Sequence, residues 1–329
     1  VVADACTDNT AQLAREAGAI VYERNDLARK GKSWVMDFGF DRILNEYPDT
    51  FEGYFIFDAD NVISRDYVSK MNDAFDQGFH VVTSYRNSKN FGSSWISAAN
   101  ATWYLREARF LNNARNICKT SCAVSGSGYL ISSSVIEGMH GWQFHTLTED
   151  IQFTTFCAIH GIRIGYAPAE FFDEQPTDYA ASVKQRMRWC KGFLQVLGSR
   201  GGRMVKGALR GSWACADILL SYMPILLCTA LSLCFAGLAA LAAGSWSLLG
   251  LSVLQLVAGA YVSLLGMGIL TGITEWKNLR ATTAQKLASL VTFPLFMATY
   301  LPVGLMACFK KVEWAPIRHS AAVSIRQVA

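Results

Sequence analysis

The sequence predicts an α/β protein: a doubly wound, mainly parallel sheet covered on both faces by helices and followed by transmembrane helices. Three observations carry this. Strand-like and helix-like stretches alternate through Ser84, the pattern of parallel strands joined by helical crossovers. The apolar run Gly53-Tyr54-Phe55-Ile56-Phe57 ends abruptly in Asp58-Ala59-Asp60. An unpaired buried carboxylate is costly, so both acids belong at the open carboxyl end of a strand, where α/β proteins bind ligands. Beyond residue 212 come long segments almost free of charge, as a bilayer core demands.

Composition narrows the classes. With 51% hydrophobic and 17% charged residues the chain is too apolar for an ordinary soluble enzyme. Residues 1–200 read as an α/β domain and 201–212 as a basic interfacial segment. Residues 213–309 read as a membrane region of about three apolar helices, and 310–329 as a C-terminal tail. A net charge of +4 gives no reason to expect a nucleic-acid partner. The nine cysteines include no CxxC pair and fall partly in apolar segments, so they read as reduced small hydrophobes on the cytoplasmic side.

In order, Val1–Ala3 reads as a strand ending at Asp4. Thr7–Thr10 offers capping groups for a helix to Ala17, which Gly18 ends. A strand over Ala19–Glu23 follows, and Gly31-Lys32-Ser33 opens a helix to Glu46, ahead of Pro48. After the Asp58/Asp60 strand come a helix over Arg65–Phe75 and a strand over Phe79–Ser84. Ser94–Asn112 has helical spacing, and Ala123–Ile131 reads as a strand of small residues. Thr148–His160 is a helix, Arg163–Ala167 a short strand, and Tyr179–Leu197 an amphipathic helix. The basic, glycine-broken stretch Arg200–Gly211 suits an anionic lipid surface, where each Lys or Arg adds about 1 kcal/mol.

Three apolar segments, Asp217–Ala243, Trp246–Ile273 and Leu287–Phe309, each reach the ~20 residues that span a bilayer. The basic stretch before the first and Lys277, Arg280 and Lys286 after the second agree on a cytoplasmic side. A third full span would place Lys310, Lys311 and Arg318 outside. Either that segment is re-entrant or interfacial, broken at Pro294 and Pro302, or it is an exception to the charge rule.

Four constellations carry chemistry. Alternate residues of an extended chain point the same way, so Asp58 and Asp60 can share one cation. Asp4 ends a strand too, and meets Asp58 if the two strands adjoin; as an N-cap it needs no such partner. Gly31-Lys32-Ser33 is not a P-loop, since Asp26 stands where that motif starts with glycine, but Lys32 at a helix start suits a phosphate as well as it suits solvent. Thr148-Glu149-Asp150 opens a helix, and Thr146 and Glu149 have capping-box spacing; the functional alternative makes one carboxylate a general base. Gln185, Arg188 and Trp189 stand at i, i+3 and i+4 on one helix face. They offer an amide, a guanidinium suited to diphosphate and a ring suited to a sugar, or else an aromatic anchor at the membrane interface.

Taken in register, a strand-end Asp, Asp-x-Asp, Thr-Glu-Asp and Gln-x-x-Arg-Trp ahead of membrane segments resemble the processive family-2 glycosyltransferases, the cellulose, chitin, hyaluronan and poly-N-acetylglucosamine synthases. The resemblance covers roughly residues 1–200 and the membrane segments after them. It implies a GT-A fold over 1–200, a cytoplasmic catalytic domain and a multi-pass protein of the plasma membrane. It further implies a UDP-sugar donor, a polysaccharide or lipid acceptor, contact with membrane lipids, and Mg2+ or Mn2+. Carried over, Asp4 and Asp58 look like nucleoside-side acids, with Lys32 a nucleotide-proximal base. Asp60 looks like the metal ligand, and Asp150 like the catalytic base supported by Glu149. Ser125 and Gly126 fall where the family lines the acceptor site, and Gln185, Arg188 and Trp189 match the motif for diphosphate and acceptor sugar. The family opens with a strand and a Pro-x-x-Asn-Glu-like segment before the first acid, so the expectation is that an N-terminal segment is missing. The alternatives are a non-processive enzyme acting on a lipid, or a membrane protein that binds a nucleotide without catalysis.

Overall fold

A computed structural model describes residues 1–222, 224–315 and 323. The first half runs β1 (Val2–Asp4), α1 (Thr10–Glu16), β2 (Tyr22–Arg24), α2 (Lys32–Glu46), β3 (Gly53–Ile56), β4 (Val62–Ile63), α3 (Tyr67–Phe75) and β5 (Val81–Ser88). Then come α4 (Trp95–Arg106), a π-helical stretch (Glu107–Asn112), α5 (Asn113–Ile117), β6 (Tyr129–Ser132), α6 (Ser133–Gly138), α7 (Glu149–His160) and β7 (Ile164–Asp173). The remainder is helical: α8 (Tyr179–Leu209), α9 (Trp213–Tyr222), α10 (Pro224–Ala242), α11 (Trp246–Thr274), α12 (Thr283–Ala298) and α13 (Tyr300–Phe309).

The α/β class is as expected, with a sheet that is mixed rather than mainly parallel. β1 and β2 form a parallel pair, and the other strands form one sheet in the order β3-β6-β5-β7-β4. Within that sheet only β5 and β7 run parallel. A parallel neighbour needs a long crossover, usually a helix. β6 enters instead from the loop after α5 and lies antiparallel between β3 and β5. No ladder joins β1 to β3 among the described residues, so Asp4 and Asp58 do not end adjoining strands.

Both faces of the sheet are covered. On one, Met36 and Phe40 of α2 and Phe153 and Cys157 of α7 pack with Val81, Tyr129, Ile131 and Trp142. On the other, Tyr67 and Met71 of α3 meet Val82, Leu130 and Phe171. Burying each such large apolar side chain is worth about 1.5–3 kcal/mol, so the strand ends beside these layers are held rigidly.

Three local expectations change. The strand expected over Ala123–Ile131 begins only at Tyr129, because Gly126 and Gly128 adopt φ of +79° and +67°, which turn the chain. The helix expected over Ser94–Asn112 starts with a Ser94/Ser97 capping box but widens to π from Glu107. There the Asn112 side chain bonds the Ala123 backbone in both directions, at 3.0 and 3.1 Å. α8 runs unbroken from its Asp178 cap through the basic stretch to Leu209, so those glycines do not interrupt it.

Among the described residues, two helical units are long and apolar enough to cross a membrane, α11 and Thr283–Phe309. The first expected segment divides between α9 and α10, and Asp217 on α9 is held by Arg115 of α5 at 2.6 Å. The turn between α11 and α12 docks on β5, where Tyr85 donates to Glu275 at 2.5 Å. Both ends of α12–α13 touch the α/β domain. Gln285 donates to the Gly92 carbonyl at 2.9 Å, and Lys191 donates to the Ala307 carbonyl at 3.1 Å. Pro294 lies within α12, and the tail expected over 310–329 falls largely outside the described residues.

Candidate active site

The strand-to-turn transition after β3 places Asp58 opposite the start of α2. Lys32, the first residue of that helix, pairs with Asp58 at 2.5 Å and donates to the Gly126 carbonyl at 2.6 Å. One ammonium thus ties the β3 end to the glycine turn before β6. Desolvation pushes the Asp58 carboxyl up, but Lys32, Arg86 and Arg188 together outweigh it and hold the group below its usual range.

Asp150 lies across the same turn. A side chain built on Gly126 would come within 3.9 Å of the Asp150 carboxylate and 3.7 Å of the Arg86 guanidinium. Capping does not account for Thr148-Glu149-Asp150. Thr148 is the N-cap residue, yet its side chain makes no cap bond and its buried hydroxyl has no partner among the described residues. Thr146 bonds Gln152 through its amide and the Thr148 carbonyl through its hydroxyl, so the expected capping box is absent. Burial pushes the Glu149 and Asp150 carboxyls up; for Asp150 the Ile151 amide, Lys32, Arg188 and Arg86 oppose this. A base is most effective with a pKa nearer the working pH.

α8 brings the third group. Arg188 donates to the Leu147 carbonyl at 3.3 Å and adds positive charge at Asp58, Glu149 and Asp150. Trp189 meets Tyr104 edge to face with centroids 6.4 Å apart, and the buried Gln185 carbonyl oxygen has no partner among the described residues. Gly192, one turn beyond Arg188, makes this approach possible, because a Cβ there would sit 2.8 Å from the Thr148 backbone nitrogen. Gly192→Ala should push α8 off the start of α7, costing about 1–3 kcal/mol of stability by overpacking. Thermal unfolding checks this, and an unshifted Tm contradicts it.

The raised Asp150 carboxyl sets a pH dependence. If it must be ionised to act, activity falls as pH drops through a pKa above the ordinary carboxylate range. Arg188→Gln removes a cation that favours the ionised form, so the acid limb of kcat/KM should move to higher pH. A limb that stays put in the pH–rate profile contradicts that.

Asp60 lies deeper. It accepts from the Glu174 amide at 3.0 Å, Lys89 stands 3.5 Å from its carboxylate, and Lys89 donates to its carbonyl at 2.6 Å. Among the described residues no three His, Cys, Asp or Glu side chains gather as a cage. The donor set is carboxylate oxygen on the turn carrying Asp58 and Asp60. That fits a hard cation of the kind held by one or two carboxylates and completed by substrate phosphates and water.

Asp4 pairs with buried Arg24 at 2.5 Å, and no hydrogen bond or ion pair links it to Asp58 among the described residues. Several residues near the site carry no sequence signal. Arg86 of β5 bonds Asp173 of β7 through both Nε (2.7 Å) and Nη2, donates to the Ser125 carbonyl at 2.9 Å and lies 3.7 Å over the Tyr104 ring. Lys89 is buried against Asp60. Trp314 rests on Gly31, whose φ of +111° and missing Cβ admit the indole beside Lys32; a Cβ there would lie 3.2 Å from the ring. The orphaned Ser127 and Thr148 hydroxyls and Gln185 oxygen lie on the elements that hold these residues.

Comparison with solved structures finds a mannosyltransferase from Pyrobaculum calidifontis, PcManGT, determined in complex with GDP-Man and Mn2+. It is 16% identical, with a TM-score of 0.46 and coverage of 93% of this chain and 77% of that one. No curated protein matches. The family model described as glycosyl transferase family group 2 matches residues 55–309, from within β3 and the two aspartates after it through the Gln185–Trp189 helix to the end of α13. The chain belongs to family group 2 of the glycosyltransferases.

Proposed function

We propose that this chain is a membrane-bound, metal-dependent, inverting glycosyltransferase that moves a hexose from a UDP-sugar to a growing β-linked polysaccharide. N-acetylglucosamine is the first candidate, from the resemblance to polymer synthases. The observation that carries the reading is the gathering of Lys32, Asp58 and Asp150 about the Gly126 turn, with the charge of Arg188 acting on both carboxylates. That arrangement supports two cations as partners for a leaving diphosphate and a carboxylate of raised pKa as the base for an acceptor hydroxyl.

The acceptor oxygen bonds to the anomeric carbon as the bond to the diphosphate oxygen breaks, and the hydroxyl proton passes to Asp150. Attack from the face opposite the leaving group turns an α-linked donor into a β-linked product. Arg188 and Lys32 neutralise charge that grows on the diphosphate, Glu149 supports Asp150, and Trp189 stacks on the acceptor sugar. Ser125 and Gly126 line the acceptor path, Gln185 supplies an amide to it, and Asp4 and Asp58 serve the nucleoside side. A Mg2+ or Mn2+ ion held by Asp60 beside Asp58 would add positive charge at the diphosphate.

In this reading the α/β domain is cytoplasmic and α10 and α11 cross the plasma membrane. α12–α13, anchored at both ends to the α/β domain, lies along the membrane face, in contact with lipid. The test is to incubate membranes containing the full chain with labelled UDP-sugars and GDP-mannose, then size the product. One UDP-hexose entering a polymer is the expected result. A single sugar on a lipid supports the lipid-acceptor alternative, and exclusive use of GDP-mannose overturns the UDP assignment.

A further inference from the structure

We infer that Glu107, at the start of the π-helical stretch after α4, recognises the acceptor by accepting a hydrogen bond from one of its hydroxyls on the Trp189 side of Asp150. The inference rests on the glycosyl-transfer reading above and adds a residue outside every motif considered there.

The first observation is local geometry. α4 widens into a π-helix at Glu107, and π-bulges within α-helices occur often at functional sites. The widening is pinned from outside. Asn112 bonds the Ala123 backbone in both directions, and the Cys122 thiol donates to the Asn112 carbonyl at 3.2 Å. Those partners lead directly into the Ser125–Gly128 turn, so the stretch is fixed relative to the site.

The second observation is the side chain itself. The Glu107 carboxylate is partly buried yet makes no hydrogen bond or ion pair among the described residues. A carboxylate removed from water is normally hydrogen-bonded. Its field reaches Arg86, Arg106, Arg115 and Asp150, and burial pushes its carboxyl up. None of these cations forms an ion pair with it: Arg86 is committed to Asp173 and Arg115 to Asp217, while Arg106 lies over the Trp103 ring at 4.4 Å.

The third observation places it on one side of the base. The charges that act most strongly on Asp58 are Lys32, Arg86 and Arg188, not Glu107. Glu107 instead acts on Tyr104 and Asp150. Tyr104 stands three residues earlier on the helix and meets Trp189 edge to face. Glu107, one turn after Tyr104 on the same helix, therefore belongs to the Tyr104–Trp189 side, where the acceptor sugar is proposed to stack. A hydroxyl there would supply the donor the carboxylate lacks.

The experiment uses the full chain in detergent or membranes, with the UDP-sugar it incorporates and free hexoses (glucose, N-acetylglucosamine, mannose) as acceptor probes. Glu107→Gln should raise the acceptor KM on the order of 10–100-fold, as expected for losing a hydrogen bond to a charged group. Glu107→Asp, which keeps the charge, should recover part of that loss. UDP affinity by calorimetry should be unchanged in both. An acceptor KM that does not move overturns the inference, as does a parallel fall in UDP affinity and Tm, which marks a structural role. A wild-type chain that binds no nucleotide overturns the glycosyl-transfer reading itself, an outcome separate from the behaviour of the variants.

Discussion

Asp150→Asn should lower sugar transfer by about 10²–10⁴-fold, the range that a positioned general base supplies, while UDP still binds. The substitution keeps the shape of the side chain and its acceptor contact with the Ile151 amide. What it removes is the capacity to take a proton. Because Lys32, Arg188 and Arg86 all act on Asp150, losing its negative charge makes the local field more favourable to a diphosphate, so nucleotide affinity should hold or improve. Calorimetric titration with UDP alongside a turnover assay separates the two effects. Unchanged turnover would remove Asp150 from the mechanism.

Arg86→Gln should be the most destabilising single change near the site, by about 3–5 kcal/mol, because removing one member of a buried ion pair leaves the other uncompensated. Asp173 is 5% exposed at its side chain and Arg86 15%. Their pairing joins the only parallel strands of the five-stranded sheet, and Arg86 also fixes the Ser125 carbonyl and the Tyr104 ring. Denaturant unfolding should show a lower midpoint with an unchanged slope. Pairing the change with Asp173→Asn should recover part of the loss, since no lone buried charge then remains. A midpoint equal to wild type in Arg86→Gln contradicts this account.

How much of this was legible in sequence follows from how far apart the interacting residues are. The run Gly53–Phe57 and the acids after it form one local pattern, as do Thr148-Glu149-Asp150 and the i, i+3, i+4 set Gln185, Arg188, Trp189. Each was visible because strand alternation, a helix start and a helix face write themselves into neighbouring positions. Lys32 was visible as a helix start but not as the partner of Asp58, 26 residues away. Arg86 and Asp173 are separated by 87 residues and sit in otherwise ordinary strand sequence, so no local pattern announces them. Trp314 reaches Gly31 from the far end of the chain. The antiparallel strands escaped for a related reason. β4 has two residues and β6 four, too few to show a direction, and the alternation of strand and helix alone favours parallel pairing. The expected meeting of Asp4 with Asp58 depended on strand neighbours, which only the fold decides.

The central claim is a single displacement at the anomeric carbon with Asp150 as the base. The most direct test supplies an α-linked UDP-sugar and a free hexose acceptor, then reads the new linkage by the anomeric proton coupling in the NMR spectrum of the first-formed product. The proposed mechanism predicts a β-linked product, absent in Asp150→Asn. An α-linked product would require a second displacement or front-face attack, and would contradict the role given to Asp150.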